Sequence, residues 1–489
     1  MASETNRTPY PITFAVLATA VGSFALLQSL VVPVLSTIQV DLHTTQNTVT
    51  WVLTAYLLSA SVFTPIIGRL GDMLGKEHAF VVTMAVLAVG SLLAALASTI
   101  TVMIIARVIQ GVGGGLLPLA IGIIRDEFPR ERVGSAVGTL AALLAAGAGL
   151  GLVLAGPIDS LLSYHWLFWI PMIVVVIAAI GAHFWVPESP VRSTGRLSWS
   201  GALLLSTWLV ALLVAISEAP VWGWSSAKVF GLLGGTVVVA AVWVVVESRS
   251  KSPLIDMGMM RLPAVWTTNL VALLVGVGMF ATFAFLPEFL QTPSSAGYGF
   301  GASITASGLI LLPASVAMFA LGVVSGRLST RFGPKAVLVA GCTISTGMFA
   351  VLTFAHRTVG EILAAMVLQG VGFGLAFAAM ANLIVVAVPA HQTGVASGMN
   401  ANIRTIGGSI GAAVMSSVVT AELSPGGLPR EAGYTHGFAM LTVVSVVSTL
   451  AAILVPSVRR GPAPTDPARA PHAELGMLAA GTLAGDESE

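Results

Sequence analysis

Fourteen stretches of roughly 18 to 28 residues run through this chain with no Asp, Glu or Lys and only two arginines among them. They fall at about 11 to 35, 49 to 67, 79 to 98, 100 to 124, 133 to 157, 164 to 186, 197 to 217, 229 to 246, 264 to 287, 300 to 325, 336 to 355, 362 to 388, 393 to 420 and 437 to 456. A helix needs about 20 mainly apolar residues to cross a bilayer, because every backbone amide must find its hydrogen bond within the segment. Only 9% of the 489 residues are charged, against about 25% in a soluble domain. The mean hydropathy is +0.93 and the formal net charge is +1, which excludes both a water-soluble fold and the basic footprint of a nucleic-acid binder. The reading is an all-α polytopic membrane protein of fourteen transmembrane helices, with the lipid bilayer as its solvent. The first run has one basic residue before it, Arg7, and no small-residue cleavage pattern, so a retained span is expected rather than a leader.

Basic loops stay cytoplasmic. With the N-terminus inside, Arg7, Arg69, Lys76, Arg125, Arg130, Arg132, Arg192, Arg196, Arg249, Lys251, Arg261, Arg327, Arg331, Lys335, Arg459, Arg460 and Arg469 all face the cytoplasm, 17 of the 22 basic residues. Lys228, Arg357 and Arg430 face out, and Arg107 and Arg404 lie within runs. Both termini are therefore expected inside. The single cysteine, Cys342, sits mid-run and forms no intramolecular disulfide.

The chain repeats itself. GRLGDMLGKE (68–77) returns as GRLSTRFGPK (326–335), VIQGVGGGL (108–116) as VLQGVGFGL (367–375) and, more loosely, GSAVG (134–138) as GVASG (394–398), at offsets of 258, 259 and 260. Collinear matches at nearly one offset point to two pseudo-symmetric six-helix bundles, at 1–186 and 264–456. Residues 187–263 then hold a linker and an inserted two-helix hairpin, and 457–489 form a Pro- and Ala-rich cytoplasmic tail expected to be disordered. Parallel six-helix repeats are the layout of alternating-access transporters, with the substrate path between the halves.

These residues carry a family resemblance. The GRLGDMLGKE loop resembles the cytoplasmic signature of the major facilitator superfamily, and ARVIQGVGGG (106–115) resembles its fourth-helix motif. The fourteen runs together with WVLTAYLL (51–58) resemble its drug:proton antiporter branch. The likeness covers nearly the whole chain apart from the tail. It implies multidrug or antibiotic efflux across a bacterial plasma membrane, driven by protons.

Several residues take roles on this reading. Asp72 can accept hydrogen bonds from a helix N-terminus or pair with Arg69 or Lys76; the resemblance implies that it latches the second bundle and stabilises the outward-open state, although Glu77 and His78 stand where the family continues basic. Arg107 is a mid-span cation, costing roughly 2.5 to 3.5 kcal/mol on insertion scales. The resemblance implies that it works in proton coupling beside Gln110 and Gly111; the alternative is a brace onto backbone carbonyls of the first run. Gly147, Gly151 and Gly156 in LLAAGAGLGLVLAGP (143–157) match three glycines of the antiporter motif, with Leu152 and Ala155 departing from it, and they permit close helix packing. Arg404, in NANIRTIGGSIG (400–411), matches an arginine found in the thirteenth span of that branch, where a pocket or gate role and a structural one stand side by side.

One expected group is missing. The branch usually carries an Asp in its first span, and ALLQSLVVPVL (25–35) has Leu27 there. No run contains a carboxylate, so the proton carrier is sought at span ends, with Glu288 in FLPEFLQ (285–291) ahead of Asp41, Asp159, His165 and His183, and a solvated loop acid as the alternative for Glu288. Gln28, Trp51, Tyr56, Asn269, Phe283, Asn400 and Arg404 are the remaining candidates for the path, few polar anchors on apolar walls. That composition suits hydrophobic or amphiphilic small molecules, although the aromatics can equally face lipid. Phosphate-loop, metal-ligand and nucleophile patterns are lacking, so no enzyme, metal or cofactor is expected. A monomer is expected. The runners-up are an exporter of one natural product or lipid, an importer, and a membrane receptor without transport.

Overall fold

The computed structural model describes residues 9–188, 198–250, 252–422, 424 and 428–457. Arg7, Arg192, Arg196, Lys251, most of the expected linker at 187–196 and the tail beyond 457 lie outside the described residues. Each run overlaps a helix of its own. These are α1 (Tyr10–Leu30), α2 (Gln46–Leu74), α3 (Lys76–Ala95), α4 (Ile100–Glu127), α5 (Arg130–Leu161), α6 (Trp166–Trp185), α7 (Trp199–Trp222), α8 (Ala227–Arg249), α9 (Pro263–Gln291), α10 (Ile304–Phe332), α11 (Pro334–Phe354), α12 (Val359–Ala387), α13 (Thr393–Val419) and α14 (Glu431–Leu454). Among the described residues all regular elements are helical. Thirteen of the fourteen are long and apolar enough to cross a membrane. The exception, α13, has the length at 27 residues, but its asparagines, serines, Arg404 and glycines make it the most polar of the set. Such a helix survives at membrane depth only when other helices enclose it.

Helix ends follow local chemistry. The side chains of Thr45, Thr99, Ser226, Ser303 and Thr358 each accept a hydrogen bond from the third residue of the helix they precede, satisfying an amide that the helix cannot pair. Gly75 and Gly333 end α2 and α10 at φ +116 and +84, a backbone region that favours glycine. They occupy equivalent positions in GRLGDMLGKE and GRLSTRFGPK, so the two sequence copies make the same turn. In α4 the stretch Val112–Gly115 tightens into a 3-10 turn. A Cβ on Gly111 would stand 2.4 Å from Ser59 Cβ; the missing side chains let α4 press onto α2.

Several helices run further than their apolar runs. Asp72 lies inside α2, Glu247 inside α8 and Glu288 inside α9, which corrects the expectation of spans without carboxylates. A run ends at its first charge, whereas a helix ends only where its backbone is capped or turned.

Buried apolar side chains gather in three clusters. One is drawn from α1 to α6 with Val385, and a second from α9 to α14 with Ala141 and Leu152 of α5. In the third, Leu205, Leu209 and Leu213 of α7 meet Val395, Ala396 and Met399 of α13, with Leu58 and Ile66 of α2 packed alongside. The longest seams join α5 to α10 and α9 to α13. Close approach in the latter depends on glycine: a Cβ on Gly411 would fall 2.2 Å from the Val277 carbonyl oxygen. Adding one methyl there overpacks backbone, at a cost of about 1 to 3 kcal/mol. Gly411→Ala should therefore lower the unfolding temperature of the purified protein in detergent, followed by tryptophan fluorescence. Gly347→Ala, where nothing lies within 4 Å of the added carbon, should be neutral or slightly stabilising.

Candidate functional site

Asp72 sits in the last turn of α2, fully buried. Its Oδ2 accepts a hydrogen bond from the Val395 amide at 3.3 Å. Val395 is the third residue of α13, so the carboxylate faces the positive end of that helix, where unpaired amides and the helix dipole favour an anion. The approach is close: a Cβ on Gly68 would lie 2.7 Å from the Gly394 carbonyl oxygen. Beside it, Lys76 Nζ stands 3.8 Å from Asp72 Oδ1 and 2.5 Å from Asp126 Oδ2. Arg69 is also buried, and its Nε has no hydrogen-bond partner among the described residues.

The same end holds the opposite arrangement. Arg125, near the end of α4, donates to the carbonyls of Val388 at 2.7 Å and Pro389 at 3.3 Å and to the Thr393 hydroxyl. Val388 is the C-cap of α12, where unpaired carbonyls attract a cation. An acid on the start of α13 and a base on the finish of α12 thus tie α2 and α4 to the later helices. Sequence reasoning used Arg125 only for topology. Nothing local marks it, because its partners lie more than 260 positions away.

Arg107 is fully buried. Its Nε donates to the Val52 carbonyl at 3.0 Å and its Nη1 to Gln110 Oε1 at 2.7 Å, while the guanidinium lies 4.2 Å from the centroid of the Tyr56 ring. Gln110 Nε2 passes the chain on to Ser91 Oγ at 3.1 Å. The carbonyl that receives Arg107 belongs to α2, not to the first span. Tyr56 is covered by this contact and by Phe24, 6.2 Å away between ring centroids. In the later copy of the motif, Met366 stands at the position of Arg107 and Gln369 at that of Gln110, and both amide atoms of Gln369 are buried without partners among the described residues.

Gly147 and Gly151 pack α5 on α1, a Cβ on Gly151 falling 2.0 Å from Ser29 Oγ; Gly156 follows half-buried in α5, ahead of Pro157. Asn400 and Asn269 are joined by a 2.9 Å hydrogen bond from Nδ2 to Oδ1. Next to them Arg404 places its guanidinium 4.5 Å from the Phe377 ring centroid. Asn400 and Arg404 line a narrow cavity between α4, α5, α12 and α13, whose other walls include Leu117, Leu144, Phe377 and Ile384. Gln28 and Trp51 are half-buried in α1 and α2, and Phe283 packs at the edge of the second cluster; none of the three lines this cavity.

Glu288 lies near the end of α9, with the Tyr434 hydroxyl as the polar group facing it. Around Phe289 gather the rings of Tyr298, His356, Tyr434 and Phe438, at 5.2 to 6.2 Å between centroids. His356 Nε2 stands 3.3 Å from Glu431 Oε1. Glu431 and Tyr434 open α14 and His356 follows the end of α11, and the three carry no sequence motif.

The chain matches the sequence model of the Major Facilitator Superfamily over residues 17–412 and, in a second match, over 268–481. It is 27% identical to the multidrug transporter protein MdtP of Bacillus subtilis over 76% of this chain and 68% of that one. To the tetracenomycin C resistance and export protein of Streptomyces glaucescens it is 28% identical, over 86% of this chain and 78% of that one. The multidrug resistance protein Stp of Mycobacterium tuberculosis is 28% identical over 86% of this chain and 77% of its own. The crystal structure of the human organic anion transporter MFSD10 superposes with a TM-score of 0.66 at 14% identity, over 91% of this chain and all of that one, which shows a shared fold. Matched across most of its length, this multi-pass membrane protein belongs to the Major Facilitator Superfamily, a family of transporters and not of enzymes.

Proposed function

We propose that this chain exports hydrophobic or amphiphilic drugs or antibiotics across a bacterial plasma membrane, exchanging them for protons by alternating access. The observation that carries the reading is the paired latch at the α2–α3 end, where Asp72 holds the start of α13 and Arg125 the finish of α12. Such contacts join the earlier helices to the later ones without covalent attachment. They can break and re-form, which a path opening alternately at its two ends needs. The named roles of the bacterial relatives supply the direction and the cargo class. On the basic-residue count, this end and both termini face the cytoplasm. We take α1 to α6 and α9 to α14 as the two moving bundles of a monomer, with α7 and α8 as the inserted pair. A narrower reading, export of one natural product, is favoured by the tetracenomycin relative.

Flux of structurally unlike lipophilic dyes from proteoliposomes under an imposed pH gradient tests the proposal. Gradient-dependent flux of several dyes supports broad antiport, and flux insensitive to the gradient excludes proton coupling. Asp72→Asn removes the charge that faces the α13 amides, and it should cut transport about tenfold or more at normal expression; full transport by this variant would remove the latch from the mechanism. Arg107→Ala leaves the Gln110 and Val52 acceptors buried and unpaired, a penalty of about 1 to 3 kcal/mol each. It should lower thermal stability as well as flux, whereas a loss of coupling alone would spare stability. Glu288→Gln should flatten the pH dependence of transport, and an unchanged profile would eliminate Glu288 as the carrier.

A further inference from the structure

The two mid-membrane arginines are treated differently by their surroundings. Arg107 donates from Nε to Val52 and from Nη1 to Gln110, keeps only Nη2 without a partner among the described residues, and is closed off beneath Tyr56. Arg404 is half-buried and faces the central cavity, and among the described residues its guanidinium has no hydrogen bond and no ion pair, only the face of Phe377. A cation–π contact offsets only part of the cost of holding a guanidinium away from water. Among the described residues none that lines the cavity is acidic. Two further donors are unspent among the described residues: the Ser397 Oγ on its wall and, one hydrogen bond behind the lining Asn400, the Nδ2 of Asn269, whose Oδ1 is already taken by Asn400.

A site with an uncompensated planar cation, surplus donors and apolar walls is complementary to a planar acceptor-bearing anion. We infer that the cavity between α4, α5, α12 and α13 binds the anionic group, a carboxylate or phenolate, of an aromatic or amphiphilic organic molecule. Arg404 is the counter-charge and Phe377 holds the guanidinium plane in place. The inference rests on the exporter reading for its cargo, but it selects within that cargo. The guanidinium fork pairs bidentately with a carboxylate; the cavity as it stands, about 20 Å³, has room for little more than a water, so Leu117, Leu144 and Ile384 take the apolar body when the helices around it part. A lipophilic cation has no acid there to meet and would face Arg404 instead.

Three molecules with one ring system and different charge decide the matter: naphthoate, naphthylmethanol and naphthylmethylammonium. Binding to the purified full chain in detergent would be measured by equilibrium dialysis, and flux in proteoliposomes, for wild type, Arg404→Gln and Arg404→Lys, with folding checked by circular dichroism. Wild type should prefer naphthoate; Arg404→Gln should weaken naphthoate binding about tenfold or more while leaving the alcohol unchanged. Arg404→Lys, which keeps the charge and loses the fork, should fall between the two. Equal binding of all three by wild type, preference for the ammonium compound, a uniform loss for all three in Arg404→Gln, or binding of none would each overturn the inference. Selective naphthoate binding that depends on Arg404, without flux of any probe, would uphold the anion site and overturn the exporter reading instead.

Discussion

At membrane depth no water is available to complete an unmet hydrogen bond, and the rest of this molecule answers to that constraint. Backbone amides are satisfied by winding the chain into helices, capped at their ends by threonine and serine side chains. Packing cannot rely on escape from water, since lipid tails are as apolar as leucine, so seams close where glycines let backbones touch, as at Gly411 and the Val277 carbonyl. Arg107 is received by Val52, Gln110 and Tyr56, and Asp72 by the amides that open α13, whereas Arg404 has only the face of Phe377.

The features that set helix existence were legible along the chain. Fourteen runs became fourteen helices, and GRLGDMLGKE and GRLSTRFGPK became matching turns at Gly75 and Gly333. What could not be read was extent and company. Helix ends depend on caps rather than on the first charge met, which put Asp72, Glu247 and Glu288 inside helices. Partners far apart in sequence were equally hidden: Asp72 and Val395 are 323 positions apart, Arg125 and Val388 are 263 apart. The candidate path was legible as a list of polar residues in apolar runs. Only three-dimensional packing separates Asn400 and Arg404, on the cavity wall, from Tyr56, which is shut beneath Arg107.

The two copies of the repeat share geometry without sharing chemistry. Thr330 occupies the position of Asp72, and Met366 that of Arg107. The buried acid and the closed cation of the repeated motifs thus occur in the first copy, while the unpartnered cation of the cavity, Arg404, comes from the second half of the chain. Duplication supplied the frame, and divergence placed an anion, a closed cation and an open cation at three different positions in it.

The position of α7 bears on how a lipid-dissolved molecule reaches the interior. Its leucines lie along α13 beside Leu58 and Ile66 of α2, so a strip of protein occupies the flank where acyl chains would otherwise touch the joint between those two helices. On that side the joint is curtained, and a molecule diffusing within the leaflet meets α7 and α8 first. Elsewhere α5 and α10 close directly against each other, so the joint between earlier and later helices is sealed in two ways, by a third helix at α2 and α13 and by the seam itself at α5 and α10.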